Sequence, residues 1–198
     1  MCAEWEELYE LELEGEEKEK KPPVAHRGYV EGKVLTIDLD DTFWTVLVKE
    51  PDGTYSRTIA SSCDTNVRRL TDGIYETDMC LIIVNKKVEN LVKEAKRRGF
   101  KVAVVSQNSP YVMELAERVF SLEGIDVDAI AVGNLDKSSM FKMIADPKRI
   151  EKMVYVDDSE SNLEDVGKLF NAVGVYLGKK YLGVTPKDLR LAEDWLRE

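Results

Sequence analysis

Lys33-Val34-Leu35-Thr36-Ile37-Asp38-Leu39-Asp40-Asp41-Thr42-Phe43-Trp44 is the stretch on which the reading of this 198-residue chain turns. Val34 to Ile37 is a short, β-branched apolar run, the pattern of a buried strand. A strand usually ends in neutral turn residues. This one ends in Asp38, Asp40 and Asp41, a concentration of negative charge that is costly to hold without a cation nearby. In open α/β sheets, ligands bind beyond the carboxyl ends of the strands. The carboxylates therefore mark a candidate site. The plainer alternative is a solvated acidic turn that caps the next element.

Downstream, Thr45–Glu50 and Thr54–Ile59 roughly alternate in polarity around Pro51-Asp52-Gly53. That pattern is a hairpin, and it would stand over the carboxylates as a small flap. Residues 60–84 are less legible and too few for a large cap domain. From Asn85 the chain becomes regular. Val88, Leu91, Val92 and Ala95 have helical spacing, and Lys96-Arg97-Arg98-Gly99 is a helix C-terminus. Strands are expected at Val102–Val105, Ala129–Val132, Met153–Val156 and Ala172–Tyr176. Helices are expected at 111–120, Asp136–Ala145, Asn162–Phe170 and Lys187–Trp195. Strands alternating with helices imply right-handed crossovers and a parallel sheet. No internal repeat and no glycine-rich phosphate loop is present.

Composition narrows the partners. The net charge of −10 argues against nucleic acid or an anionic membrane. Residues 1–25 hold nine Glu and three Lys, so −6 of that charge is local. They read as an acidic arm before Pro22-Pro23, either a solvated tail or a docking segment for a second subunit. Residues 26–198 read as one domain with an insert at about 45–80. Cys2, Cys63 and Cys80 are too few and scattered for a disulfide framework or a zinc site, and suggest a reducing, cytoplasmic setting. Cys63 and Cys80 read as small buried side chains. A single His and a single Gln among many Lys and Glu lean toward a thermophile. No stretch is long and apolar enough for a membrane span.

Four strand ends now carry polar groups: Asp38/Asp40/Thr42, Ser106, the segment around Lys137, and Asp157/Asp158. In a parallel sheet all four lie on one edge. Two separated acid pairs suit a hard divalent cation, and a hydroxyl and an ammonium beside them suit phosphate oxygens. In order and spacing this set resembles the haloacid dehalogenase superfamily of phosphohydrolases. The matching segments are Asp38-Leu39-Asp40-Asp41-Thr42, Ala103-Val104-Val105-Ser106, Leu135-Asp136-Lys137-Ser138 and Val154-Tyr155-Val156-Asp157-Asp158. Asp40-Asp41-Thr42-Phe43-Trp44 and Asp157-Asp158-Ser159-Glu160-Ser161-Asn162 resemble the magnesium-dependent phosphatase group within it. That group often carries Arg after the second-motif Ser, where this chain has Gln107.

The resemblance implies a Rossmann-like three-layer α/β/α sandwich around a parallel sheet, with a hairpin flap and no large cap. It implies Mg²⁺, and a small phosphorylated molecule or phosphoprotein side chain as substrate. Asp38 is the expected nucleophile and Asp40 the general acid and base. Asp38, the Asp40 carbonyl and a fourth-motif acid are the expected metal ligands, Asp158 before Asp157. Ser106 and the amides near Leu39 and Gln107 are expected to hold phosphate oxygens, and Lys137 to offset charge. Trp44 reads as packing for the flap and His26 as incidental. Two other classes stay open. A phosphoacceptor receiver uses similar groups, but its Lys follows the acids in a different order. An assembly protein could keep the fold and dock through the arm.

Overall fold

The computed structural model describes residues 23–170, 172–176 and 186–197, so most of the acidic arm lies outside the described residues. The chain runs through β1 (Val24–Gly28), β2 (Val30–Ile37), β3 (Trp44–Lys49), β4 (Tyr55–Thr58), β5 (Arg68–Thr71), β6 (Ile74–Glu76) and β7 (Cys80–Val84). It continues through α1 (Lys86–Arg97), β8 (Lys101–Gln107), α2 (Val112–Glu123), β9 (Ala129–Gly133), α3 (Lys137–Ile144), β10 (Ala145–Asp157), α4 (Glu160–Leu169), β11 (Ala172–Tyr176) and α5 (Pro186–Arg197).

The main sheet has six strands in the order β1-β9-β8-β2-β10-β11. All its neighbours pair in parallel except β1, which runs antiparallel to β9. At the centre, Leu35 pairs with Val102 on one side and Val154 on the other. Alternation along these strands feeds two separate cores. Leu35, Ile37, Val104 and Val156 share one with α1, α2 and α5. Val34, Ala103, Val105 and Tyr155 share the other with α3 and α4. A strand buried on both faces shows no polar alternation, which is why these runs are continuously apolar. At Gly133 the backbone of Pro23 and Val24 comes so close that an added Cβ would lie 2.4 Å from the Pro23 carbonyl oxygen. Glycine there is what lets β1 close that edge.

The expected hairpin forms, with Gly53 at φ +84° in its turn. It is two strands of something larger. Residues 60–84 add three strands, giving a five-stranded antiparallel sheet in the order β4-β3-β7-β6-β5. β5 is exposed along its whole length, so its sequence carries no two-residue period to read. The insert also contains a disulfide, Cys63–Cys80, with Cα atoms 5.5 Å apart. Both cysteines are buried as expected, but the bond corrects the reading of the cysteines as too few and scattered for disulfide pairing. Spacing in sequence does not show that the antiparallel sheet returns one to the other. β10 likewise starts at Ala145, well before the expected Met153. Its first half is charged and pairs irregularly with β2. No helix among the described residues is long and apolar enough to cross a membrane.

Candidate active site

β2 delivers Asp38 between the ends of its two neighbours, where the Asp38 amide donates to the Val156 carbonyl at 3.0 Å. The chain then folds into a tight turn. The Leu39 carbonyl accepts from the amides of Thr42, Phe43 and Trp44. Asp41 sits in the left-handed region at φ +59°, a conformation Asp tolerates better than most residues. The turn aims the Asp38 and Asp40 side chains to the same end of the sheet. Leu39 is wholly buried, so it contributes through its backbone; its amide supports the Asp38 carboxylate.

Lys137 reaches this end from the start of α3. Asp136 caps that helix by accepting from the Ser139 amide at 2.8 Å, which fixes where Lys137 begins. The Lys137 Nζ lies 2.8 Å from Asp38 Oδ1 and 2.6 Å from Asp157 Oδ2. Burial works against its charge, but Asp38 and Asp157 outweigh this and hold the amine above its ordinary pKa. Asp157 is fully buried and saturated. It accepts from Lys137, the Tyr155 hydroxyl, the Ser159 amide at 2.8 Å and the Asn162 side chain at 3.2 Å. Asp158 is half-buried. Burial, then Asp157 and Asp41, push its carboxyl up to about 6. Burial pushes Asp38 up to about 7, with Lys137 pulling the other way.

Asp38, Asp157 and Asp158 place carboxylate oxygens within 4.8 Å of one another. Three carboxylates face one ammonium. Asp38 Oδ1 is close to Lys137 but off the angle of a hydrogen bond, and it is buried without another partner in the structure. An all-oxygen set with spare negative charge and a buried oxygen that lacks a hydrogen-bond partner fits a hard divalent cation.

Asp40 occupies the other side of the turn. Its Oδ1 accepts from Trp44 Nε1 at 2.8 Å and its Oδ2 from Asn108 Nδ2 at 2.7 Å; the Ala60 amide lies 3.2 Å from both. Burial raises its pKa, while these three donors lower it. Ser106 is buried at the end of β8, on the sheet edge that carries Asp38. The Gln107 side chain turns away and donates to the Leu135 carbonyl at 3.0 Å, so only its backbone remains for a ligand. The insert touches the site too: Arg57 on β4 binds Asp41 through Nε at 3.0 Å.

Every expected site residue thus lies at this sheet edge, although Gln107 points its amide elsewhere. Tyr155 and Asn162 stand inside quoted motif segments without an assigned role, and Asn108 and Ala60 carry no signal in the sequence for this site. Trp44 is buried as expected, yet it also bonds Asp40. Its place four residues after an acid in a tight turn was the only available signal.

The fold is similar to that of a HAD-like phosphatase from Mesorhizobium loti, with a TM-score of 0.55 and 14% identity over 89% of this chain and 94% of that one. Weaker likenesses are to a chain of the Pnkp1/Rnl/Hen1 complex (TM-score 0.47, 19% identity, 79% of this chain and 50% of that one). A HAD superfamily subfamily III A hydrolase from Legionella pneumophila is also similar (TM-score 0.43, 13% identity, 83% and 81%). No family model matches the sequence, and neither does any curated protein. At 14% identity the first likeness shows a shared mixed α/β fold and stops there.

Proposed function

We propose that the protein is a Mg²⁺-dependent phosphatase that hydrolyses a phosphomonoester through an aspartyl-phosphate on Asp38. The convergence of Asp38, Lys137, Asp157 and Asp158 at one sheet edge carries this reading. Asp38, the Asp40 carbonyl and Asp158 would hold the metal. Asp157 is left to orient Lys137, because its oxygens are already engaged. A bound Mg²⁺ supplies positive charge to the phosphoryl oxygens.

An Asp38 carboxylate oxygen attacks phosphorus while Asp40, protonated, gives its proton to the departing alcohol oxygen. The aspartyl-phosphate is then opened by water, which gives its proton to the Asp40 carboxylate and restores Asp38. Ser106 and the amides of Leu39 and Gln107 hold the phosphoryl oxygens. Lys137 keeps two anions, nucleophile and phosphate, from having to meet unaided. A small phosphorylated molecule or a phosphoprotein side chain is the substrate class this site suits.

The experiment is phosphate release from p-nitrophenyl phosphate, with Mg²⁺ and with EDTA, for wild type and Asp38→Asn. Turnover that requires the metal and is lost in the variant is the expected result. Full activity in Asp38→Asn would rule out this nucleophile.

A further inference from the structure

Resting on the phosphatase reading, we infer that Asn108 and Trp44 are positioning residues for Asp40, holding its carboxyl toward the leaving group. A carboxylate beyond a strand end is free to turn about two side-chain torsions. Here donors from three places stop it, one in the same turn and two from distant parts of the chain. Trp44 Nε1 donates to one oxygen at 2.8 Å and Asn108 Nδ2 to the other at 2.7 Å. The Ala60 amide, from the insert, lies 3.2 Å from each.

Both side chains are themselves fixed. Trp44 is 1% exposed and Asn108 5%, so water competes for neither. Indole nitrogen can only donate. The Asn108 amide has one orientation, because its Oδ1 accepts from the Ser109 amide at 3.1 Å and so turns Nδ2 to Asp40. Its backbone amide is pinned to the Gly133 carbonyl at 3.0 Å. Ala60 is secured by the Cys63 amide on its carbonyl at 3.0 Å and by the neighbouring disulfide. Among the described residues, no hydrogen bond or ion pair joins the side chains of Trp44 and Asn108 or the Ala60 amide to Asp38, Lys137 or Asp157. These donors converge on the Asp40 carboxyl, and therefore act on proton transfer to the leaving oxygen.

A group that serves only proton transfer matters in proportion to how badly the leaving group needs a proton. The test compares kcat/KM for 2,4-dinitrophenyl phosphate, whose phenolate leaves unassisted, with that for phenyl phosphate and glycerol 2-phosphate. This ratio reads the step that forms the aspartyl-phosphate and excludes its later hydrolysis. For Asn108→Ala, kcat/KM should fall about tenfold to a hundredfold on the alkyl ester, the scale of a misplaced catalytic group. On the dinitrophenyl ester it should stay within about threefold, since no proton transfer is at stake there. Trp44→Phe keeps the ring and removes the donor, so it should show the same selectivity. It carries the test if Asn108→Ala does not fold. Equal losses on all three esters in an active enzyme would overturn the positioning role and leave the phosphatase reading standing. A wild type inert toward all three esters would overturn both.

Discussion

Lys137 is the residue on which the site's electrostatics turn. The residue is 3% exposed, and its ammonium sits between two carboxylates. Lys137→Met would keep the bulk and remove the charge, leaving Asp38 and Asp157 to face each other. On the proposed reaction, activity should drop about a hundredfold or more, since the charge that would oppose the phosphate is gone. Stability should fall by about 3 kcal/mol at pH 8, the usual cost of stripping one partner from a buried ion pair. At pH 5 the loss should be smaller, because Asp38, already pushed up to about 7 by burial, then takes a proton. Urea unfolding at the two pH values measures both figures.

At the scale of elements, the insert carries a covalent link of its own. Cys63 follows the turn Ala60–Ser62 that contacts Asp40, and Cys80 opens β7 at the middle of the antiparallel sheet. The bond closes a loop with a sequence separation of 17. A loop of that size contributes about 3 kcal/mol in the chain-entropy account. Reduction, or Cys63→Ser, should therefore lower the unfolding free energy by about that amount. Wild type and variant in dithiothreitol should then unfold together; a stability unmoved by reductant would remove the disulfide from the account. A disulfide also fits poorly with the reducing setting inferred from cysteine count, outside the hyperthermophiles where intracellular disulfides are common.

Across the whole molecule the insert is continuous with the main core. Trp44, Val46, Tyr75 and Ile82 belong to the same apolar cluster as Val88, Leu115 and Val156. Its far end is tied down as well: the Tyr75 hydroxyl donates to Glu123 at 2.6 Å, and Lys86 bridges Asp72 at 2.9 Å and Glu123 at 3.1 Å. The site charges act on global stability through pH. Asp38 and Asp158 have carboxyls raised to about 7 and about 6, above the unfolded value of 3.8. Their contribution is present below pH 4 and is lost as pH rises through the folded values. Other groups move the other way: Ser138 and Ser139 hold the Asp136 carboxyl down at about 2. The difference in Tm with and without Mg²⁺ cancels them. That difference should be larger at pH 8 than at pH 5, because a bound cation relieves charges that protons relieve at low pH. Differential scanning fluorimetry in MgCl₂ and in EDTA reads it directly, and an equal shift at both pH values would separate the metal from these carboxylates.

Sequence alone determined the parallel core, since strands buried on both faces must be continuously apolar and helices on their faces must be periodic. It picked out, from their order along the chain, residues that the fold brings to one sheet edge: Asp38, Asp40, Ser106, Lys137, Asp157 and Asp158. Tertiary structure decided everything that joins distant segments through one or two polar atoms. Asn108 meets Asp40 across a separation of 68 residues, and Cys63 meets Cys80 across an antiparallel sheet. Neither contact leaves a period or a composition to read, because a single hydrogen bond or disulfide constrains two positions and nothing between them. The same holds for β5, whose exposed face buries nothing and so imposes no pattern on its residues.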